Sequence, residues 1–163
     1  MTSTTPDKLF LVKRGGKYGY IDKTGKIVIN PQFYKAWPFS EGLARVMIDG
    51  RKGKWGYIDK AGKYVINPQF DDADKFSEGL AAVNVGGKPN KWGIFIDGGK
   101  YGYIDKTGKY VINPQFDSAY PFFRGRAQVT VGRKKDMDMW CYVASGDGSC
   151  SCLIDKTGKC AGA

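Results

Sequence analysis

Lys54-Trp55-Gly56-Tyr57-Ile58-Asp59-Lys60-Ala61-Gly62-Lys63-Tyr64-Val65-Ile66-Asn67-Pro68-Gln69-Phe70 decides the reading of the chain, because two other stretches repeat it almost residue for residue. An earlier copy runs Lys17-Tyr18-Gly19-Tyr20-Ile21-Asp22-Lys23-Thr24-Gly25-Lys26-Ile27-Val28-Ile29-Asn30-Pro31-Gln32-Phe33, and a later one spans Lys100 to Phe116. A shortened echo, Leu153-Ile154-Asp155-Lys156-Thr157-Gly158-Lys159, lies near the end. The steps between equivalent aspartates are 37 (Asp22 to Asp59), 46 (Asp59 to Asp105) and 50 (Asp105 to Asp155) residues. Self-similarity at this period predicts a repeat architecture. The longer steps read as insertions: Trp92-Gly93 falls 37 residues after Trp55-Gly56, and Trp140-Cys141-Tyr142-Val143 takes the corresponding place in the last step.

Within one copy the residue types alternate between strand and turn. Leu9-Phe10-Leu11-Val12 reads as a first strand, Gly15-Gly16 as a turn and Tyr18-Gly19-Tyr20-Ile21 as a second strand. Asp22-Lys23-Thr24-Gly25-Lys26 has the chemistry of a tight turn: Asp bonds local backbone and Gly takes positive φ. The β-branched run Ile27-Val28-Ile29 follows, expected to end at Asn30-Pro31, where proline removes a ladder donor. Each copy is thus a three-stranded antiparallel meander. A glycine recurs mid-strand at Gly19, Gly56 and Gly102, which points to a bend or to close approach by a neighbouring unit. Connectors keep apolar residues at Phe33/Phe39, Phe70/Phe76 and Phe116/Phe122, which read as plugs between units. In the strands that follow, alternation puts Ala44/Val46/Ile48 on one face and Arg45 and Asn84 on the other. Arg126, in the place of Leu43 and Leu80, suits an exposed terminal unit.

The expectation is an all-β chain of four meanders, starting near Leu9, Leu43, Leu80 and Arg126, in an open array. A closed four-bladed propeller is the alternative, and the inserted hairpins fit a tight ring less easily. Residues 1–7 read as a disordered N-terminus, 8–132 as the repeats and 133–163 as a degenerate, cysteine-containing terminal repeat. Arg133 to Met139 reads as a charged link, and Gly146-Asp147-Gly148 as a turn. At 163 residues the chain suffices for one domain if the units share a core. No apolar run long enough for a membrane span is present, and the first residues lack a secretory pattern. That absence favours the cytoplasm, whereas the cysteines suit an oxidising compartment. Net charge is +10 with no histidine, so the usual neutral-pH proton shuttle is missing and anionic partners are favoured.

The pattern Lys-Trp-Gly-Tyr-Ile-Asp-Lys-x-Gly-Lys-x-Val-Ile-x-Pro-x-Phe-Asp, with a trailing Phe-Ser-Glu-Gly-Leu-Ala-x-Val, resembles the WG-repeat family, also called KWG repeats. The likeness covers about residues 9 to 132 and is fullest over 54 to 83. It implies a binding or structural module of the kind found in many bacterial proteins, with no shared catalytic set and no cofactor. Trp55 and Trp92 match the name-giving aromatic; Tyr18 and Tyr101 are variants of it.

Candidate functional residues follow from the copies. Asp-Lys-Thr-Gly at Asp22, Asp105 and Asp155 resembles a phosphorylated-aspartate motif, but its recurrence at every turn position fits a turn and not a nucleophile. The turn lysines (Lys23 and Lys26, Lys60 and Lys63, Lys106 and Lys109, Lys156 and Lys159) form either a solubilising edge or a ridge for a polyanion. Trp55 and Trp92, sharing a face with Tyr20, Tyr57 and Tyr103, are either core or a stacking platform. Cys141, Cys150, Cys152 and Cys160 have the spacing C-x8-C-x-C-x7-C, without a C-x2-C knuckle. Disulfides, a metal site and free thiols stay open, and Cys141 facing Cys152 is one geometry among them. The expected function is a non-catalytic module contacting a protein or surface polymer, with a nucleic acid or anionic glycan as the alternative partner.

Overall fold

A computed structural model describes residues 7–92, 96–132, 143–144 and 149–160. The expectations placed on residues 1–6, the 133–139 link, Trp140, Cys141 and the Gly146-Asp147-Gly148 turn lie outside the described residues. All described regular structure is β, in four open antiparallel sheets. The first holds β1 (Phe10–Arg14), β2 (Lys17–Ile21) and β3 (Ile27–Phe33). The second is ordered β4 (Lys35–Ala36), β5 (Ala44–Met47), β6 (Trp55–Ile58), β7 (Tyr64–Phe70). The third is built likewise from β8 (Asp72–Ala73), β9 (Ala81–Pro89), β10 (Ile96–Ile104) and β11 (Tyr110–Phe116). In the fourth, β12 (Ser118–Ala119) and β13 (Ala127–Val131) are followed by β15 (Cys150–Ile154), with β14 (Val143–Ala144) outermost.

The first three meanders are as expected, whereas in the fourth sheet β15 lies between β13 and β14; in the later sheets the connector also adds a strand of two residues at one edge. Gly15 and Gly16, both with positive φ, close the first hairpin. The nine-residue insertion lengthens β9 and β10 into one continuous hairpin, paired from Ile104↔Ala81 to Ile96↔Pro89.

The third strands do not stop at Asn-Pro as expected. They run on to Phe33, Phe70 and Phe116. Tyr18 pairs with Phe33 and Tyr20 with Ile29, so β3 carries extra residues opposite β2, and Pro31 lies in that bulge. A bulge is where a sheet tolerates proline, because the ladder donor is already missing there. The same bulge explains the mid-strand glycines. A Cβ at Gly56 would sit 2.7 Å from both the Ile66 carbonyl oxygen and the Pro68 nitrogen. The close approach therefore comes from the unit's own third strand and not from its neighbour.

The core lies between sheets. One cluster joins Leu9, Tyr20, Ile29 and Phe33 to Ala44, Val46 and Ile58. The next joins Tyr57, Ile66, Phe70 and Phe76 to Ala81, Val83 and Ile104, and the last joins Tyr103, Phe116 and Phe122 to Val129, Cys152 and Ile154. The clusters link first to second, second to third and third to fourth sheet, which is an open array and not a ring. Tyr20, Tyr57 and Tyr103 are fully buried, and their hydroxyls donate to the carbonyls of Trp37, Asp74 and Tyr120 at 2.7, 2.6 and 2.8 Å. Burial pushes all three phenols far above their usual range, so they stay neutral donors. Phe39, Phe76 and Phe122 meet these rings edge-on at 4.8, 4.9 and 4.9 Å, the plug role expected of them. Among the described residues no helix is long and apolar enough to cross a membrane.

Candidate functional site

Each Asp-Lys-x-Gly turn is closed by its own carboxylate. Asp22 Oδ1 accepts from the Thr24 amide (2.8 Å), the Thr24 hydroxyl (2.6 Å) and the Lys26 amide (3.1 Å). Asp105 and Asp155 repeat this set, while Asp59, followed by Ala61, accepts from the two amides alone. The threonine hydroxyl, with the turn amides and the nearby lysine, holds Asp22, Asp105 and Asp155 below the usual carboxylate range. The turns stack in register. A Cβ on Gly62, Gly108 or Gly158 would lie 3.3, 3.3 or 3.2 Å from Ile29, Ile66 or Ile112 of the preceding unit.

The lysines of a turn divide into two roles. Lys60 Nζ donates to the Asp7 carbonyl (2.6 Å), Lys106 to that of Glu41 (2.9 Å) and Lys156 to that of Glu78 (2.9 Å). These first lysines are inter-unit clamps. The second lysines, Lys26, Lys63, Lys109 and Lys159, are exposed, and no side-chain hydrogen bond to them is found among the described residues. Lys23, in the first unit, is likewise exposed. The turn lysines therefore split into those committed to a neighbouring unit, Lys60, Lys106 and Lys156, and those left outward, Lys23, Lys26, Lys63, Lys109 and Lys159.

The Lys106 and Lys156 clamps end on a second repeated turn. Ser40 and Leu43 pair across Glu41-Gly42, Ser77 and Leu80 across Glu78-Gly79, and Phe123 and Arg126 across Arg124-Gly125. Glu41, Glu78 and Arg124 all have φ near +50°, a region that disfavours their side chains. The two glutamates are held there by bonds to the next unit: Glu41 Oε2 accepts from the Gly79 amide (3.0 Å) and Glu78 Oε2 from the Gly125 amide (2.9 Å). Alongside, Ser40 Oγ donates to the Phe76 carbonyl and Ser77 Oγ to that of Phe122, both at 2.7 Å. Partial burial opposes ionisation of Glu41, but the Gly79 and Glu78 amides and the Lys106 ammonium outweigh it, holding the carboxyl below the usual glutamate range.

The aromatic candidates separate. Trp55 is buried, with the Arg45 guanidinium 5.6 Å from its ring and 4.7 Å from that of Trp37. Arg45 is fixed from the other side by the Ala73 carbonyl and by Asp74 at 3.5 Å. Trp55 thus packs the second junction and offers no open face. Trp92 departs from the expectation: it lies in the turn between β9 and β10, 62% exposed, under the Lys91 ammonium at 4.2 Å. Its strand place belongs to Tyr101, whose hydroxyl donates to Asp72 at 2.7 Å. Lys54 and Lys100, which open the motif, pair with Asp71 and Asp117. Asn84 is buried, its side chain satisfied by the Gly98 carbonyl and the Gly87 amide, so both faces of β9 are covered.

Cys152 is joined to Cys160, with Cα atoms 6.1 Å apart, so the pairing of Cys141 with Cys152 does not occur. Cys152 stands where the other units have the bulge-facing glycine. Cys150 is also disulfide-bonded, and Cys141 lies outside the described residues. Among the described residues no three Cys, Asp or Glu side chains converge on a metal-sized site. A groove of about 360 Å³ beside the first sheet is lined by Asp7, Leu9, Phe10 and Phe39, with Gly42 and Lys60 of the following unit.

Glu41, Glu78, Trp37, Arg45 and the departure at Phe123-Arg124 were missed as functional positions from sequence. The signal was present: Ser-Glu-Gly is kept at 40–42 and 77–79 and replaced at 123–125 by Phe-Arg-Gly. A family model for a WG containing repeat matches residues 18–51, 55–88 and 101–134. These repeats begin at Tyr18, Trp55 and Tyr101, leaving Trp92 inside the insertion. Searches among curated proteins and among solved structures returned no match.

Proposed function

Because the chain belongs to the WG containing repeat family, we propose that it is a non-catalytic binding module, contacting a protein or a surface polymer through its exposed faces. The observation that carries this reading is the division between inward and outward positions. Inward positions repeat: Tyr20, Tyr57 and Tyr103, their phenylalanine partners and the bulge glycines do the same work in the first three units. The residue that lends its carbonyl to that tyrosine changes instead, from Trp37 to Asp74 to Tyr120, with Trp37 49% and Tyr120 57% exposed. A stack with a constant interior and variable outward groups is a scaffold for recognition. The turn aspartates, each with Oδ1 taken by local bonds, act as structural groups in this reading.

The alternative partner, a polyanion, is favoured by the free lysine row of Lys26, Lys63, Lys109 and Lys159. Titration with heparin and a short oligothymidylate at about 50 and about 300 mM salt separates the two. Tight binding that weakens steeply with salt, and is lost in a K26E/K63E/K109E variant, supports the polyanion. Binding of a protein ligand that protects amides across more than one unit, unchanged in that variant, supports the module reading. Turnover of a substrate that stops on changing a single turn aspartate overturns both.

A further inference from the structure

We propose that Phe123 and Arg124, with Tyr120 and Arg126, form the docking surface of the module, and that its occupant is an acidic protein segment carrying an apolar side chain. The inference rests on the binding-module reading and names where and what it binds. Its origin is the turn ladder. In the first two connectors the residues before glycine are Ser40-Glu41 and Ser77-Glu78, and both pairs are spent holding the next connector. The third connector keeps the turn: Phe123 and Arg126 pair across it, Arg124 has φ +52°, and Gly125 still donates to Glu78. Only the two reaching side chains change. Phe123 is 71% exposed, Arg124 lies 5.2 Å from its ring, and Arg124 and Arg126 are both exposed. No ion pair to either arginine is found among the described residues.

At the internal positions a carboxylate reaches out to accept from a neighbour's amide. At the third position a guanidinium stands in its place, so the group it suits must supply acceptors instead of donors. Arginine matches a carboxylate in a two-bond fork, and the strained backbone at Arg124 fixes where that fork starts. Phe123, in the place of a serine that touches neighbouring backbone, needs apolar contact from its occupant. Exposed Tyr, Phe and Arg are also the side chains enriched where interfaces are strongest. A peptide offering carboxylates and an aromatic side chain meets both demands, whereas a nucleic-acid track would be expected to follow the lysine row on the other turns.

The F123S/R124E variant tests this and has a built-in control: it restores the pair that the fold carries at two other turns, so it is expected to keep the wild-type circular dichroism and unfolding midpoint. The probes are a fluorescein-labelled peptide of repeated Glu-Glu-Phe-Gly units, the same peptide with Gln for Glu, and an oligothymidylate. We expect the acidic peptide to bind, the Gln peptide to bind at least about tenfold more weakly, and F123S/R124E to lose about tenfold or more in affinity. K26E/K63E/K109E should leave peptide binding within about twofold. Absence of acidic-peptide binding, or binding indifferent to F123S/R124E, overturns the surface. Oligothymidylate binding that F123S/R124E weakens, without peptide binding, overturns the protein occupant. A protein that ignores the peptide but binds heparin through its lysine row keeps a binding function and loses this surface, so the two failures are distinguishable.

Discussion

Gly56 shows how much one position can be asked to do. Its neighbour across the hairpin is not a flat strand but the Asn67-Pro68 bulge, and backbone fills the space a side chain would need. Contact with backbone cannot be relieved by rotating a side chain, so Gly56→Ala must move β7 or unpair it. Overpacking of this kind costs about 1–3 kcal/mol. The thermal unfolding midpoint of G56A should fall by about 2–12 °C. Gly25→Ala, with nothing within 4 Å, carries only the positive-φ penalty and should cost less. Equal losses would show that the bulge does not crowd this strand.

The Ser-Glu-Gly turn is the element that turns separate meanders into one object. Its glutamate carboxylate accepts from the amide of the next turn, over a left-handed backbone that all three turns share, Arg124 included. The Lys106–Glu41 ion pair, 3.4 Å long and largely exposed, contributes little. The charge-assisted bond to the Gly79 amide carries more, on the order of 1.5–3 kcal/mol. Glu41→Ala should therefore destabilise by about that amount and Glu41→Gln, which keeps an oxygen acceptor, by less. The pH dependence has a defined sign. The folded carboxyl is the stronger acid, so its stabilisation is complete above the unfolded glutamate range and is lost as pH falls through the folded value. Urea midpoints measured from about pH 7 to about pH 3 should fall less steeply in E41Q than in wild type. Parallel curves would remove Glu41 from the acid response.

Taken as a whole, the molecule is a one-dimensional stack whose cores sit at junctions, so stability should be local and additive along the chain. In the fourth sheet the arm after the Asp155 turn pairs back at Ile154↔Cys160 and carries a covalent link as well. The Cys152–Cys160 link constrains that arm, and a loop of this size contributes about 2–3 kcal/mol by chain-entropy reasoning. Reduction by dithiothreitol should speed amide exchange in β15 by about tenfold or more while leaving β2 and β6 near their original protection. Uniform loss across the sheets would show one cooperative unit instead of a stack.

Much of this was legible before any coordinates. Repeat spacing, Asp-x-x-Gly turns and β-branched runs determined an all-β array, because each is a local property that a residue and its near neighbours fix. Tyr20, Tyr57 and Tyr103 could be placed on one shared strand face, and the connector phenylalanines between units, on the same grounds; whether that face was core or an open platform was not local information. Other features depended on residues far apart in sequence. That Pro31 lies within a strand, that Trp92 is exposed while Trp55 is buried, and that Lys106 holds Glu41 follow from register and stacking across units. Sequence determined which pieces recur; the tertiary structure decided which copies of a recurring side chain are consumed by a neighbour and which are left facing outward, because only the packed stack fixes where one unit's reach ends and the next begins.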